Sequence, residues 1–180
     1  KRRIFMTATL ADDSILVSDF GARPELVEKH ITPNVANDIG DRMILVPQEI
    51  DPNVSEAELK AFVKKKSAHY NTVVIVPSDF RMKFWADVAD LVVRADNLEA
   101  AVDQLKAKHV GLVVMVNKYD GIDLPNSACR ILVLDGLPHA RRSYERIETN
   151  MLAGSARVYG GQIQRSEQGM GRGSRANDDF

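Results

Sequence analysis

Apolar residues along this chain fall into short runs separated by stretches with helical spacing, and the order of the two patterns carries most of the structural information. Ile4-Phe5-Met6 is a short strand-like run, and residues 14 to 20 can form a short helix. Arg23-Pro24 and Thr32-Pro33-Asn34 mark irregular chain. Met43-Ile44-Leu45-Val46 reads as a strand whose continuation Pro47 limits. Ser55 followed by Glu58 is a capping-box signature that opens a helix to about Ser67, with Leu59, Phe62 and Val63 on one face. Val73-Val74-Ile75-Val76 is apolar throughout, as in a strand buried on both faces of a parallel sheet. Ser78 or Asp79 caps a following helix carrying Met82, Trp85, Val88 and Ala89. Leu91-Val92-Val93 is a strand, residues 97 to 108 a helix with Leu98, Val102 and Leu105 at helical spacing, and Gly111 to Val116 a further buried strand. Ile131-Leu132-Val133-Leu134 is the next strand, and residues 142 to 153 are helical. Strand and helix alternating in this way predict a layered α/β sheet with right-handed crossovers, whose ligands sit beyond the carboxyl ends of the strands.

Composition narrows the functional classes without choosing among them. The 180 residues, 44% hydrophobic and 27% charged, suit one well-filled domain. A net charge of -1 argues against binding nucleic acid by bulk electrostatics, while leaving room for a locally basic groove. Cys129 is the sole cysteine and cannot form an internal disulfide, so a reducing, cytoplasmic setting is the simplest inference. The four histidines, His30, His69, His109 and His139, are scattered without metal-ligand spacing, so no metal site is expected. No apolar run reaches the roughly 18 residues that a membrane span needs. Residue 1 is not methionine and the end at Phe180 is abrupt, so the sequence reads as an excised piece of a longer protein.

Four stretches carry candidate chemistry. In Gln168-Gly169-Met170-Gly171-Arg172-Gly173-Ser174-Arg175, two guanidinium groups three residues apart can reach one side of a turn, and the glycines allow close backbone approach. Arginine binds phosphate oxygens in pairs and stays charged in any pocket, which suits polyphosphate; the plainer alternative is a solvated Gly/Arg tail. The loop from Asn117 to Pro125 follows a strand, and Asp120 and Asp123 can accept hydrogen bonds from ribose hydroxyls or an arginine, with Gly121 permitting a turn. A polar structural turn is the alternative there. Ser78-Asp79-Phe80 is a helix start of the kind that receives phosphate, with Phe80 and Trp85 as stacking surfaces or, for Trp85, core. Arg81, Lys83 and Arg94 can line a backbone groove or form a solvated face. Thr7-Ala8-Thr9-Leu10 offers hydroxyl groups at a strand end. The chain has no Gly-Lys-Ser/Thr phosphate loop, no Gly-x-Ser-x-Gly and no His-Glu-x-x-His, so it cannot bind and hydrolyse a nucleotide alone by the phosphate-loop route.

In this order, Thr7 to Leu10, Tyr119 to Pro125 and Gln168 to Arg175 resemble motifs III, V and VI of superfamily 2 helicases. The Gln-x-x-Gly-Arg-x-x-Arg form and the Asp-Gly-Ile-Asp loop resemble the XPD/DinG-like branch or related DEAD/DEAH bacterial helicases, although the chain has no motif I, no motif II and no cysteine cluster. The resemblance implies a three-layer RecA-like α/β domain with a mostly parallel central sheet. It implies that residues 1–12 end a first RecA-like domain and that residues 13–180 form the second, truncated after motif VI. Arg172 and Arg175 then correspond to arginines that reach the triphosphate, and Gln168 and Gly171 to positions linking nucleotide and strand. Asp123, Asp120 and Gly121 correspond to the motif V loop near the ribose, Thr7 and Thr9 to coupling residues of motif III, and Ser78, Asp79 and Phe80 to a motif IV strand contact. ATP and Mg2+ are the implied cofactors of the full-length protein, held jointly with an N-terminal RecA-like domain of the same polypeptide, and neither is expected to bind this fragment alone, which is expected to be inactive. Single-stranded DNA is the favoured track, and no membrane partner is implied. Two other readings remain open at this stage: a non-catalytic nucleotide- or nucleic-acid-binding module, and the duplex-translocating motor subunit of a restriction or remodelling complex.

Overall fold

The computed structural model describes residues 3–5, 14–29, 31, 43–119, 121–137 and 143–171. The sheet is built on β1 (Thr72–Val76), whose five residues are all buried, with β2 (Leu91–Val93), β3 (Leu112–Val116) and β4 (Ile131–Leu134) beside it in the order β2-β3-β1-β4. Every pairing is parallel; Thr72 lies opposite both Leu112 and Ile131. Parallel strands need crossovers that cover both faces, which is why these runs are continuously apolar and do not alternate.

Successive side chains of β1 point to opposite faces, and the core divides accordingly. Val74 and Val76 pack with Leu112, Val114, Val63, Met82 and Trp85, under α4 (Glu56–Ser67) and α5 (Asp79–Trp85). Val73 and Ile75 pack with Val113, Met115, Ala101 and Leu105 under α6 (Leu98–Ala107), joined by the connection from β3 to β4. Helices, sheet and helix with connection make three layers, the α/β architecture expected of a RecA-like domain.

Local signals set the helices. Ser55 Oγ accepts from the Glu58 N–H at 3.2 Å while the Glu58 carboxylate accepts from the Ser55 N–H at 2.9 Å, so the capping box closes as the sequence predicts. On α4, Glu56, Lys60 and Lys64 recur every four residues and meet Arg81, Asp87 and Asp90 at 2.9, 2.5 and 2.8 Å. The change of sign along that stripe opposes a slip of α4 along its neighbours. Burial opposes ionisation of Asp90, but Lys64 and the Leu112 N–H outweigh it and hold the carboxyl below its usual range.

Three expectations are corrected. Residues 43–46 form no strand: Met43, Ile44, Leu45 and Val46 are all exposed, pair with no described strand, and lead into α3 (Pro47–Ile50), since an apolar run becomes a strand only where a sheet edge receives it. Ile4 and Phe5 likewise lie outside any described strand, and Ile4 is exposed. Phe62 is exposed beneath Lys66, and the stripe of α4 that turns inward is Leu59, Val63 and Ser67. The short early helix is present as α1 (Ser14–Ser18), and Pro24 begins α2 (Pro24–Val27), where its missing N–H has no cost. After β4 come α7 (Ser143–Met151) and the fifteen-residue α8 (Ala156–Met170), the latter not foreseen as a helix.

Candidate functional site at the carboxyl edge of the sheet

The strand order creates the site. β1 leads to β2 on one side and β3 leads to β4 on the other, so the chain leaves these two neighbouring strands in opposite directions. That is the condition under which open α/β sheets form a ligand crevice beyond their carboxyl ends. Three turns reach this edge: Pro77-Ser78 after β1, Asn117-Lys118 after β3 and Asp135-Gly136 after β4. The ladder continues into two of them, with Asn117 N–H donating to Val76 O at 2.7 Å and Asp135 N–H to Ile75 O at 2.9 Å. Gly136 has φ +103°, and a Cβ there would lie 3.3 Å from the Pro77 ring.

A polar knot ties the turns together. The Asp135 carboxylate accepts from Arg81 Nε at 2.6 Å, Arg81 Nη2 at 2.8 Å and Trp85 Nε1 at 2.5 Å. Paired in this bidentate way with Asp135, and further with Glu56, the Arg81 guanidinium is held well above its ordinary pKa. Tyr119 is 4% exposed and its hydroxyl donates to Gly136 O at 3.0 Å. Burial, and then the charge of Asp135, push its phenol up to about 12, so the donor stays protonated across the physiological range.

The loop that carries the motif V resemblance is pinned from below. Ile122 and Leu124 are buried, and Asp123 between them is exposed, which turns its carboxylate away from the core. Gly121 has φ +74° with open space around its Cβ position, so glycine serves the turn there and not a close approach. Asp120 lies outside the described residues, as do Thr7, Thr9, Arg172 and Arg175.

The last turn of α8 packs onto this loop. A Cβ at Gly169 would fall 3.1 Å from Tyr119 Cδ1 and 3.3 Å from Leu134 Cδ2, closer than ordinary contact, and Gly169 is buried. Gln168 and Gly171 are half-buried on either side, and the Gly171 N–H closes the helix by donating to Glu167 O at 2.9 Å. A solvated tail is therefore excluded for residues 168 to 171. Of these two glycines, Gly169 is the one that steric contact requires; at Gly171 a Cβ would meet only ordinary contacts of 3.5 Å or more.

Ser78 caps α5, its Oγ accepting from the Arg81 N–H at 3.2 Å. Asp79 is exposed and pairs with Arg94 at 3.1 Å, while Phe80 is 83% exposed and open to a stacking partner. Trp85 is core, 3% exposed, and its ring is unavailable for stacking on a ligand. Arg81 and Arg94 spend their charge on carboxylates of the chain itself, so they do not make the free basic groove that their sequence positions allow. Sequence reasoning missed Asp135; the available signal was an Asp-Gly pair directly after an apolar strand, the same position that Ser78 and Asn117 approach after β1 and β3.

Comparison with known proteins adds no family: no protein-family model matches the chain, and no curated protein matches it significantly. Among the described residues, no group of three or more His, Cys, Asp or Glu is placed to hold a metal ion, and no helix is long and apolar enough to cross a membrane.

Proposed function

We propose that this chain is the second RecA-like domain of an ATP-dependent nucleic-acid helicase or translocase, completing a nucleotide site shared with a first RecA-like domain of the same cytoplasmic polypeptide. The observation that carries the reading is the seat of Gly169 on Tyr119 and Leu134. It brings together, at the switch-point edge, the two stretches whose helicase counterparts serve one nucleotide. Asp123 and the turn at Gly121, with Asp120, face the ribose in this reading, and Gln168 and Gly171 link the nucleotide to the strand side.

Arg172 and Arg175 follow directly from this seated helix end in sequence. Their role is to stabilise the charge that develops on the transferred phosphoryl group, an effect on the order of a thousandfold or more in related phosphoryl transfers. ATP, with Mg2+, supplies the phosphoanhydride whose cleavage drives the cycle, and the phosphate loop and magnesium carboxylates belong to the other domain. Thr7 and Thr9 couple that domain to this one. Ser78, Asp79 and Phe80 contact the backbone of a single strand, DNA by preference, with Phe80 free to stack on a base. The Arg81-Asp135-Trp85 knot fixes this strand-contact turn to the end of β4, and Leu134 carries the connection on to Gly169, so the strand loop and the last turn of α8 are tied to the same strand end.

The test is ATP hydrolysis by the longer polypeptide with single-stranded DNA, duplex DNA and RNA in turn. Stimulation is expected to be greatest with single-stranded DNA, and none is expected from the 180-residue chain alone. Hydrolysis that no nucleic acid stimulates would overturn the motor reading, and stimulation by duplex alone would replace strand separation with duplex translocation.

A further inference from the structure

At the amino edge of the sheet, on the side away from the site above, the ends of α4 and α6 converge on a cleft of about 260 Å3. His69, Lys106, Lys108, His109 and Arg130 line it, and no Asp or Glu does. Among the described residues, Lys106, Lys108 and Arg130 have no carboxylate within 4 Å, whereas Lys60, Lys64, Arg81 and Arg94 are each held by at least one. A lysine in the last turn of a helix, such as Lys106, has an ordinary explanation in the helix dipole. That explanation extends to Lys108 at the C-cap of α6, but Arg130 comes from a loop ahead of β4, so it does not cover the whole cluster.

Three carbonyl oxygens of the floor are already engaged. Carbonyl oxygens at a helix end repel an anion, but here Asn71 Nδ2 donates to Leu105 O, Lys108 O and Ser127 O at 3.2, 3.1 and 3.0 Å. Asn71 is itself 5% exposed, and its Oδ1 accepts from the Val110 N–H at 2.7 Å, so the amide is locked with its donors toward those oxygens. A carboxylate near His109, that of Asp90, is occupied by Lys64 and the Leu112 N–H. The volume is below the roughly 300–1,000 Å3 of clefts that enclose drug-sized ligands, so it admits a small anion and not a whole nucleotide.

We propose that this cleft binds a phosphate group, with the Arg130 guanidinium and the Lys106 and Lys108 ammonium groups as its charged contacts. An arginine fork and two ammonium groups suit a tetrahedral dianion, and the phosphate can be free inorganic phosphate or one carried by a nucleic-acid strand. The assignment is independent of the motor reading, since it uses none of the same residues.

Amide NMR of the 180-residue chain, titrated at constant ionic strength with inorganic phosphate and separately with a single-stranded oligonucleotide, tests it. Shifts of Asn71, Lys108, His109 and Arg130 are expected to saturate together with at least one of the two, with a Kd below about 1 mM. Saturation by phosphate identifies a free-anion site, and saturation by the oligonucleotide alone identifies a strand phosphate. Lys108→Gln with Arg130→Gln is expected to weaken binding at least tenfold, while Arg130→Lys, which keeps the charge, retains most of it. Shifts that rise without saturating for both ligands, or a double variant that keeps its fold and binds as tightly as the natural chain, would overturn the assignment.

Discussion

Gly169 occupies a helical position where alanine would ordinarily be favoured by about 1 kcal/mol. Its Cβ position, 3.1 Å from Tyr119 and 3.3 Å from Leu134, sets against that gain an overpacking cost of about 1–3 kcal/mol. The two nearly offset, so Gly169→Ala is expected to change the unfolding free energy by no more than about 2 kcal/mol. Tyr119, Leu134 or the end of α8 must nevertheless give way slightly, and nucleic-acid-stimulated ATP hydrolysis in the longer polypeptide is expected to fall at least tenfold. Urea denaturation alongside steady-state hydrolysis checks both halves; an unchanged rate would mean that this contact does not position the arginines. The residue pattern exposed the glycines but not which one mattered, because that depends on Tyr119, some fifty positions earlier in the chain. Asp135 was half-legible for the same reason: an Asp-Gly pair after a strand marks a place at the sheet edge, but not the arginine and tryptophan that meet it.

At the level of elements, the strands and the helices between them were legible because burial on both faces imposes continuous apolar runs and because Ser55 and Ser78 mark helix starts. α8 was not legible. Gly160 and Gly161 interrupt it, each weakening helical preference, and its formation depends on docking against β4. Residues 43–46 failed in the opposite sense, carrying strand composition without a described edge to pair with. Asn71 shows how elements are fastened to each other: one buried amide joins the start of β1 to the end of α6, to Ser127 and to the chain entering β3. Removing it strands several buried polar groups at about 1–3 kcal/mol each, so Asn71→Ala is expected to lower the unfolding free energy by about 3 kcal/mol or more. A urea midpoint that implies a loss below about 1 kcal/mol would show that water replaces the amide without penalty.

For the molecule as a whole, the parallel sheet gives two chemically distinct edges. The carboxyl edge gathers Asp123, Phe80, Tyr119 and the end of α8, and the amino edge gathers Lys106, Lys108 and Arg130, although the net charge is only -1. Neither edge supplies a phosphate loop; in the function proposed above, this domain contributes arginines to a nucleotide held mainly by another. The most direct measurement is single-stranded-DNA-stimulated ATP hydrolysis by the longer polypeptide with Arg172→Ala or Arg175→Ala, alongside strand affinity. The expected result is a fall in hydrolysis on the order of a thousandfold with affinity changed only a few-fold; hydrolysis that continues near the unmodified rate in both variants would contradict the account.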